Sequence, residues 1–374
     1  MSRAREIADL GSPAASGLSN RNLIINGDMQ CWQRTTAATA VTNAYATVDR
    51  YKFTENTSGA FTSERSTDSP IGAGYSLKLQ VTTADTSMAA GDYAYVVQNI
   101  EAQNLQPLQY GTSSAKTLTL SFWVKSNLTG TYTIALGKVD NTVYIFVHEY
   151  TISQANTWEK KTITISPTAG STSFITSAAG AIDNDNGTGL ALYWWLCSGT
   201  DLNGGTSNAW SSTTTHYTTT NIVNWFNSTS NNFYLAQAQL EIGEAASPFE
   251  HEDIGTTLEK CKRYFETVEW NGYVLSGNSY STTQWLLPQV IWKVEKRAAP
   301  TLTYPTIGTS SGNVAITNAT ANFATQGSVI RSYATTTGAA LYNNNADGYS
   351  GLTDDGVCML YSYNATTLKV DAEL

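Results

Sequence analysis

Polar and apolar residues alternate with a period of two along most of this chain. Leu118, Leu120, Phe122 and Val124 fall on one side of an extended segment, and Thr119, Ser121, Trp123 and Lys125 on the other. Asn127-Leu128-Thr129-Gly130 reads as a turn, with Thr131 to Gly137 as the hairpin partner. Val143 to Ile152, Trp158 to Ile165 and Phe233 to Ile242 read as further strands. Leu190 to Cys197 is apolar at both parities, the pattern of a central strand covered on both faces. Strands recurring at roughly 8–12-residue intervals, with Gly and Asn between them, predict a sandwich or barrel.

The pattern changes twice. Ile254 to Phe265 places Leu258, Cys261 and Phe265 at helical spacing, with Thr256 or Thr257 as N-cap candidates. From Glu266 the short period returns in Trp285-Leu286-Leu287, Gln289 to Val294, Val314-Ala315-Ile316, Val329 to Tyr333 and Val357 to Tyr363. At the other end Ala4, Ile7, Ala8 and Leu10 lie near helical spacing before Gly11-Ser12-Pro13 and a small-residue tether. So short a helix needs a partner to form in water. The expected organisation is all-β: a docking segment and tether (1–20), a jelly-roll β-sandwich (21–252), a linker helix (253–265) and a second, smaller β-sandwich (266–374). A chain of 374 residues exceeds what one small core serves, in keeping with two β domains.

Composition narrows the function. Charged residues make up only 14%, against about 25% in ordinary soluble domains, and Thr, Ser, Asn and Gly take their place. A net charge of -9 disfavours nucleic acid as a partner, because phosphate binding needs clustered Lys and Arg. The basic run Lys293-Val294-Glu295-Lys296-Arg297 is short and interrupted by an acid. No apolar run approaches the ~20 residues of a membrane-spanning helix, and Met1-Ser2-Arg3-Ala4-Arg5-Glu6 lacks the apolar core of a secretion signal. Cys31, Cys197, Cys261 and Cys358 are scattered without zinc spacing, so buried thiols in a protein made in a reducing cytoplasm are expected. His148, His216 and His251 form no HExxH, and no Gly-x-Ser-x-Gly elbow or phosphate-cradling loop occurs. A glycosidase remains open, since two carboxylates about 5–10 Å apart need no local motif.

The two ends of the first β region carry a resemblance. Asn22-Leu23-Ile24-Ile25-Asn26-Gly27-Asp28-Met29 reads as a brief strand and turn, and Phe233-Tyr234-Leu235-Ala236-Gln237-Ala238-Gln239-Leu240 as a long closing strand. Together they resemble the first and last strands of jelly-roll carbohydrate-binding modules of the cellulose- and xylan-binding kind. The wider set resembles tail-fibre and related virion proteins of marine bacteriophages. It comprises Met29-Gln30-x-Trp32-Gln33-Arg34, Asp49-Arg50-Tyr51, Gln239-Leu240-Glu241-Ile242-Gly243, Ser247-Pro248-Phe249-Glu250-His251, Leu258-x-x-Cys261-x-Arg263-Tyr264, Lys296-Arg297-Ala298-Ala299-Pro300-Thr301 and the terminal Asp371-Ala372-Glu373-Leu374. Arg3-Ala4-Arg5-Glu6-Ile7-Ala8-Asp9-Leu10-Gly11 resembles the N-terminal attachment segments of such proteins. The modules place an acidic residue in the last strand beside a structural calcium, and Ala236-Gln237-Ala238 offers none. Asp183-Asn184-Asp185-Asn186-Gly187 reads as a polar turn rather than a calcium loop, its glycine one position early. No cofactor is expected.

The resemblance implies a non-enzymatic virion appendage on the particle surface, trimeric, docked to other virion proteins through Arg3, Arg5, Ile7 and Leu10 and adhering to host surface polysaccharide. Sugar binding calls for exposed aromatic faces ringed by polar groups. Trp210, Tyr217 and Trp225 lie in Gly/Ser/Thr-rich sequence and are the first candidates, with Tyr280 and Trp285 behind them; Trp32, Trp123, Trp158 and Trp292 read as packing residues. Burial of the loop aromatics between subunits is the competing reading. A decoration protein without a specific ligand and a polysaccharide depolymerase are the alternative functions.

Overall fold

The computed structural model describes residues 21–308, 313–317, 330–344, 347, 349–352 and 354–374. Arg3, Arg5, Ile7 and Leu10 lie outside them. The chain divides into two compact units between Leu258 and Glu259.

Among the described residues the first unit holds twelve strands: β1 (Ala37–Thr39), β2 (Lys52–Asn56), β3 (Ala60–Ser66), β4 (Ser76–Thr83), β5 (Tyr93–Glu101), β6 (Leu118–Ser126), β7 (Gly130–Lys138), β8 (Tyr144–Ile152), β9 (Glu159–Ile165), β10 (Thr188–Ser198), β11 (Ala209–Ser211) and β12 (Asn232–Ile242). They form two six-stranded antiparallel sheets, ordered β1-β3-β4-β12-β6-β9 and β11-β8-β7-β10-β5-β2. One core lies between them: Leu118, Leu120, Phe122 and Val124 face Leu190, Leu192, Trp194 and Leu196. The Phe122 and Trp194 rings meet edge to face at 6.1 Å, a favourable aromatic geometry that joins the sheets. This is the jelly-roll sandwich that the alternation predicts.

Partner choice differs from the expectation in one place. β6 and β7 are not a hairpin: β6 pairs with β12 and β9, while β7 pairs with β10 and β8. The turn at Asn127–Gly130 is an arch between the layers. Asn127 and Asn232 exchange side-chain-to-amide hydrogen bonds at 2.8 and 3.2 Å, and Gly130 takes the positive φ of 136° that the arch needs. An alternating strand presents the same apolar face in a hairpin or an arch, so the local pattern does not distinguish them.

The boundary between the units falls within the helix α1 (Ile254–Lys262). It ends before Phe265, which opens the next strand, and its cap is neither Thr256 nor Thr257. The Asp253 carboxylate accepts from the amides of Gly255 (2.9 Å) and Thr256 (3.3 Å), an acceptor one residue upstream of the helix that satisfies its orphan donors.

The second unit contains β13 (Phe265–Ser279), β14 (Trp285–Ile291), β15 (Thr301–Thr303), β16 (Val314–Thr317), β17 (Arg331–Ala334), β18 (Gly338–Tyr342) and β19 (Val357–Asp371). β13 and β19 form a long antiparallel ribbon with register shifts near Gly272 and Leu275. One half of β19 also pairs with β15 and the other with β16, while β13 pairs with β14. All seven strands belong to one sheet, ordered β15-β19-β13-β14-β18-β17 with β16 on β19, and bulges of this kind bend its central ribbon. Trp270, Trp285, Trp292, Ile316, Leu360 and Leu368 fill its core. Cys31, Cys197 and Cys358 are buried free thiols, and Cys261 is also buried; burial pushes the Cys358 thiol up to about 11.

Candidate functional site

The opening motif is consumed by structure. Residues 22–29 form a turn rather than a strand, laid against the closing strand. Leu23 N donates to Leu240 O (2.8 Å) and Ala238 N to Gly27 O (2.9 Å). The Asn22 side chain accepts from the amides of Ile24 and Leu240, both at 3.0 Å, and Glu250 accepts from those of Arg21 and Asn22, both at 2.8 Å. β12 bulges here, with Gln237 at a φ of 46°, and a Cβ on Gly27 would stand 2.1 Å from Ala238 O. Asn26 accepts from the amides of Gln30 and Cys31 and donates to Cys31 O and Asp49 O. Asp49 in turn accepts from the Gln33 amide at 3.1 Å and its side chain at 2.8 Å, with Arg34 at 3.7 Å. The shared residues of the opener therefore form a clasp, leaving ligand recognition to be sought elsewhere.

The sequence-derived aromatic candidates are not gathered into one site. Trp210 is buried on β11, its indole donating to Ser166 O at 2.9 Å. Trp225 is fully buried against Phe61 and Phe226. Both are core residues, because the Thr/Ser-rich segment around them closes over the sandwich instead of standing free of it. Trp285 is likewise buried, in the second unit's core. Tyr280 is exposed and lines a groove of about 540 Å³ with Ser276, Asn278, Leu286, Pro288 and Val357. Tyr217 alone of the three first candidates joins a larger aromatic group.

That group lies on the face of the second sheet turned away from the core. Because the strands alternate, Tyr93, Tyr95 and Val97 of β5 face the same way as Tyr193 and Trp195 of β10. Registration sets them in rows: Thr54, Tyr95, Trp195, Thr133 and Glu149 cross the sheet in one, Lys52, Val97, Tyr193, Ala135 and Val147 in the next. Tyr93 stacks on Tyr95 at 5.7 Å, and Tyr95 lies 4.7 Å from Trp195. Tyr95 and Tyr193 meet edge to face at 5.2 Å. Tyr217 reaches over from the segment after β10, 5.5 Å from Tyr193 and 5.4 Å from Trp195. Small and aliphatic residues, Ala135, Ile145 and Val147, continue the apolar floor.

The four tyrosines are half-buried, so ring surface reaches solvent. Burial pushes the hydroxyls of Tyr95, Tyr193 and Tyr217 up, keeping them protonated as donors, and Tyr95 also shares a hydrogen bond with Thr54. Lys52, Asn56, Glu149 and Asn221 supply the polar rim, Asn221 donating to Glu149 at 2.9 Å. Flat apolar rings with hydroxyl, amide and single charged groups at the edge can stack a pyranose and bond its hydroxyls. The signal for Tyr93, Tyr95, Tyr193 and Trp195 was in the sequence as two aromatic-rich alternating strands. It reads locally as packing, and only the pairing of β5 with β10 brings the four together.

Among the described residues no group of three His, Cys, Asp or Glu is placed to hold a metal ion. In the Asp183–Gly187 turn, Asp185 accepts from the Gly187 amide at 2.8 Å, and Asp140 accepts from the Asp183 amide. His148 lies on β8, its pKa lowered by burial despite a hydrogen bond with Asn208. His251 stands 3.8 Å from Asp28, whose carboxyl burial pushes up.

No protein-family model and no curated protein matches this chain. Among solved structures it is similar to the family 11 carbohydrate-binding module from Clostridium thermocellum in complex with a β-1,3-1,4-mixed-linked tetrasaccharide, at 13% identity and a TM-score of 0.28, covering 57% of this chain and 98% of that one. A family 22 module of the same organism gives 13% and 0.27, covering 52% and 88%. The enzymatically active domain of tailspike protein 4 of bacteriophage CBA120 gives 11% and 0.29, covering 59% of this chain and 21% of that one. Structural neighbours thus include carbohydrate-binding modules and a phage tailspike domain. Likenesses this distant carry no argument about ligand or role.

Proposed function

We propose that this chain is a non-enzymatic bacteriophage virion protein, a tail fibre or similar appendage, that adheres to host surface glycans through the outer aromatic face of its second sheet. The observation that carries the binding reading is the set Tyr93, Tyr95, Tyr193 and Trp195, in register on β5 and β10, with Tyr217 packed against Tyr193 and Trp195 and Lys52, Asn56 and Glu149 at the rim. This cluster lies outside the core between the sheets, and the four tyrosine rings kept half-exposed in water at its surface are explained by a partner. The rim holds few charges, which suits a neutral or weakly charged polysaccharide better than a phosphate-rich one.

The virion reading rests on the ordered motifs that run along the chain. In it, Arg3, Arg5, Ile7 and Leu10 dock the protein to the particle, and three copies assemble so that weak sugar contacts add to a useful avidity. Its site is the virion surface, after synthesis in the host cytoplasm. Binding without cleavage is the reading at this face, where the Glu149 carboxylate of the rim is held by Asn221. A glycan array probed with the full chain tests the adhesion: capture on neutral polysaccharides is expected, and a blank array contradicts it. Release of reducing sugar from a captured polysaccharide would turn the reading to a depolymerase. Virions that incorporate a chain lacking residues 1–12 at normal levels would overturn the docking role.

A further inference from the structure

The sheet of the second unit turns an apolar face to water. Register sets Val357, Asn278, Leu286, Tyr342 and Arg331 in one row across β19, β13, β14, β18 and β17. Two positions along each strand, and so on the same side, Met359 stands beside Ser276 and Ala340 beside Tyr333. The residues between these rows, Cys358, Leu287 and Leu341, are in the core, so the rows themselves face outward. Tyr273 joins them opposite Tyr361, two positions beyond Met359. Tyr280 lines one groove with Asn278, Leu286 and Val357, and Ile291 follows the buried Val290.

Among the described residues of the chain, nine large apolar side chains are exposed, and six of them lie on this one face. They are Tyr273, Tyr280, Leu286, Ile291, Tyr333 and Val357, from 47% exposed at Tyr280 to 74% at Ile291. A large side chain has about 150–250 Å² to bury, so the six together present roughly 700 Å². The largest apolar patch of an ordinary monomer is about 300–600 Å². A stable protein interface takes about 800 Å² from each partner, little more than half of it apolar. The six side chains with the polar groups among them, Ser276 and Asn278, reach that size.

The chemistry of the face selects its occupant. Leu286, Pro288, Ile291 and Val357 offer a sugar neither a flat ring nor a hydrogen bond, and Tyr333 and Tyr342 are stacked on each other at 4.4 Å and 8°. These are contacts for protein side chains. The charge in the rows is Arg331, and Asp347 already accepts from its Nε and Nη2, both at 2.7 Å. A partner chosen by charge finds nothing here to read, whereas two copies of the face meet without opposing like charges.

We propose that copies of this chain assemble through the outward face of the second unit's sheet, burying Tyr273, Tyr280, Leu286, Ile291, Tyr333 and Val357 against one another. The occupant is thus a second copy of the chain. This names the surface behind the trimeric reading and rests on that reading only for the number of copies; it is independent of the glycan face. Closed symmetric assembly is the usual outcome when a chain carries a patch that fits itself.

The test is sedimentation of the full chain beside Leu286→Lys and Tyr333→Lys, which would set like charges against each other in every contact. Leu286→Ser serves as a milder variant should the charge disturb folding. The wild type is expected at a multiple of the chain mass. Both Lys variants should keep the strand signal in circular dichroism and weaken assembly by about thirtyfold or more. Leu286→Ser should shift it the same way by a smaller factor. Ile71→Lys, at a fully exposed apolar residue of the first unit, should assemble as the wild type does. If the wild type assembles and all three second-unit variants assemble equally well, the face inference is overturned and the trimeric reading stands. If the wild type forms dimers that these variants split, the face is upheld and the trimer falls. A wild type that stays a single chain overturns both.

Discussion

Individual residues carry the clasp and the anchor points of the second unit, and their loss is calculable in kind. Asn26, buried at a φ of 61°, makes four hydrogen bonds, three to Gln30 and Cys31 and one to Asp49 O. Asn26→Ala leaves those backbone groups unpaired and is expected to cost about 3 kcal/mol or more, read as a lower denaturant midpoint for the first unit. Gly27→Ala drives a methyl against Ala238 O, with an expected cost of roughly 1–3 kcal/mol. In the second unit Lys296 and Glu266 form a fully buried ion pair at 3.2 Å, and Arg297 donates to the carbonyls of Ala372 and Glu373. Lys296→Ala should destabilise that unit by about 3–5 kcal/mol by stranding a buried carboxylate, seen as an early transition while the first unit melts as before. Arg331 beside Asp347 holds its carboxyl below the usual carboxylate range. The pair's stabilisation is thus present above the unfolded value of about 3.9 and is lost as pH falls through the lower folded value. Asp347→Asn should flatten the acid limb of the second unit's melting curve.

At the scale of elements, the existence of strands was legible and their partners were less so. β6, β8, β9 and β12 fall where alternation puts them, because one face of each must be buried and the pleat has a strict period of two, and β10 falls where a run apolar at both parities puts it. The β6–β7 arch was not legible: β6 finds its neighbours in β12 and β9, far away in sequence, and no local pattern encodes that choice. The same cause hid the candidate site. Tyr95 and Trp195 are 100 positions apart and become neighbours only through the β5–β10 register. Sequence context favoured Trp210 and Trp225 because their segment is rich in Gly, Ser and Thr, yet that segment closes over the core and buries both. The cap of α1 shifted for a simpler reason, since Asp253 stands one position before the helix and competes better than Thr256.

For the whole molecule, the opener and closer that carry the family resemblance turn out to fasten the sandwich shut, while recognition is assigned to a face that the motifs do not touch. The two can be separated by experiment: clasp variants should lower stability without changing affinity at temperatures where the protein stays folded, and face variants should do the reverse. Assembly is expected to be trimeric, so light scattering should give three chain masses; one chain mass would remove the avidity argument. The central claim is that half-exposed tyrosines on the second sheet hold a glycan. Its most direct measurement is a calorimetric titration of a polysaccharide captured by the wild type into Tyr95→Ala, beside wild type and the clasp variant Gly27→Ala. The account predicts that Tyr95→Ala loses about tenfold or more in affinity while folded Gly27→Ala matches wild type; equal affinity for Tyr95→Ala and wild type would contradict it.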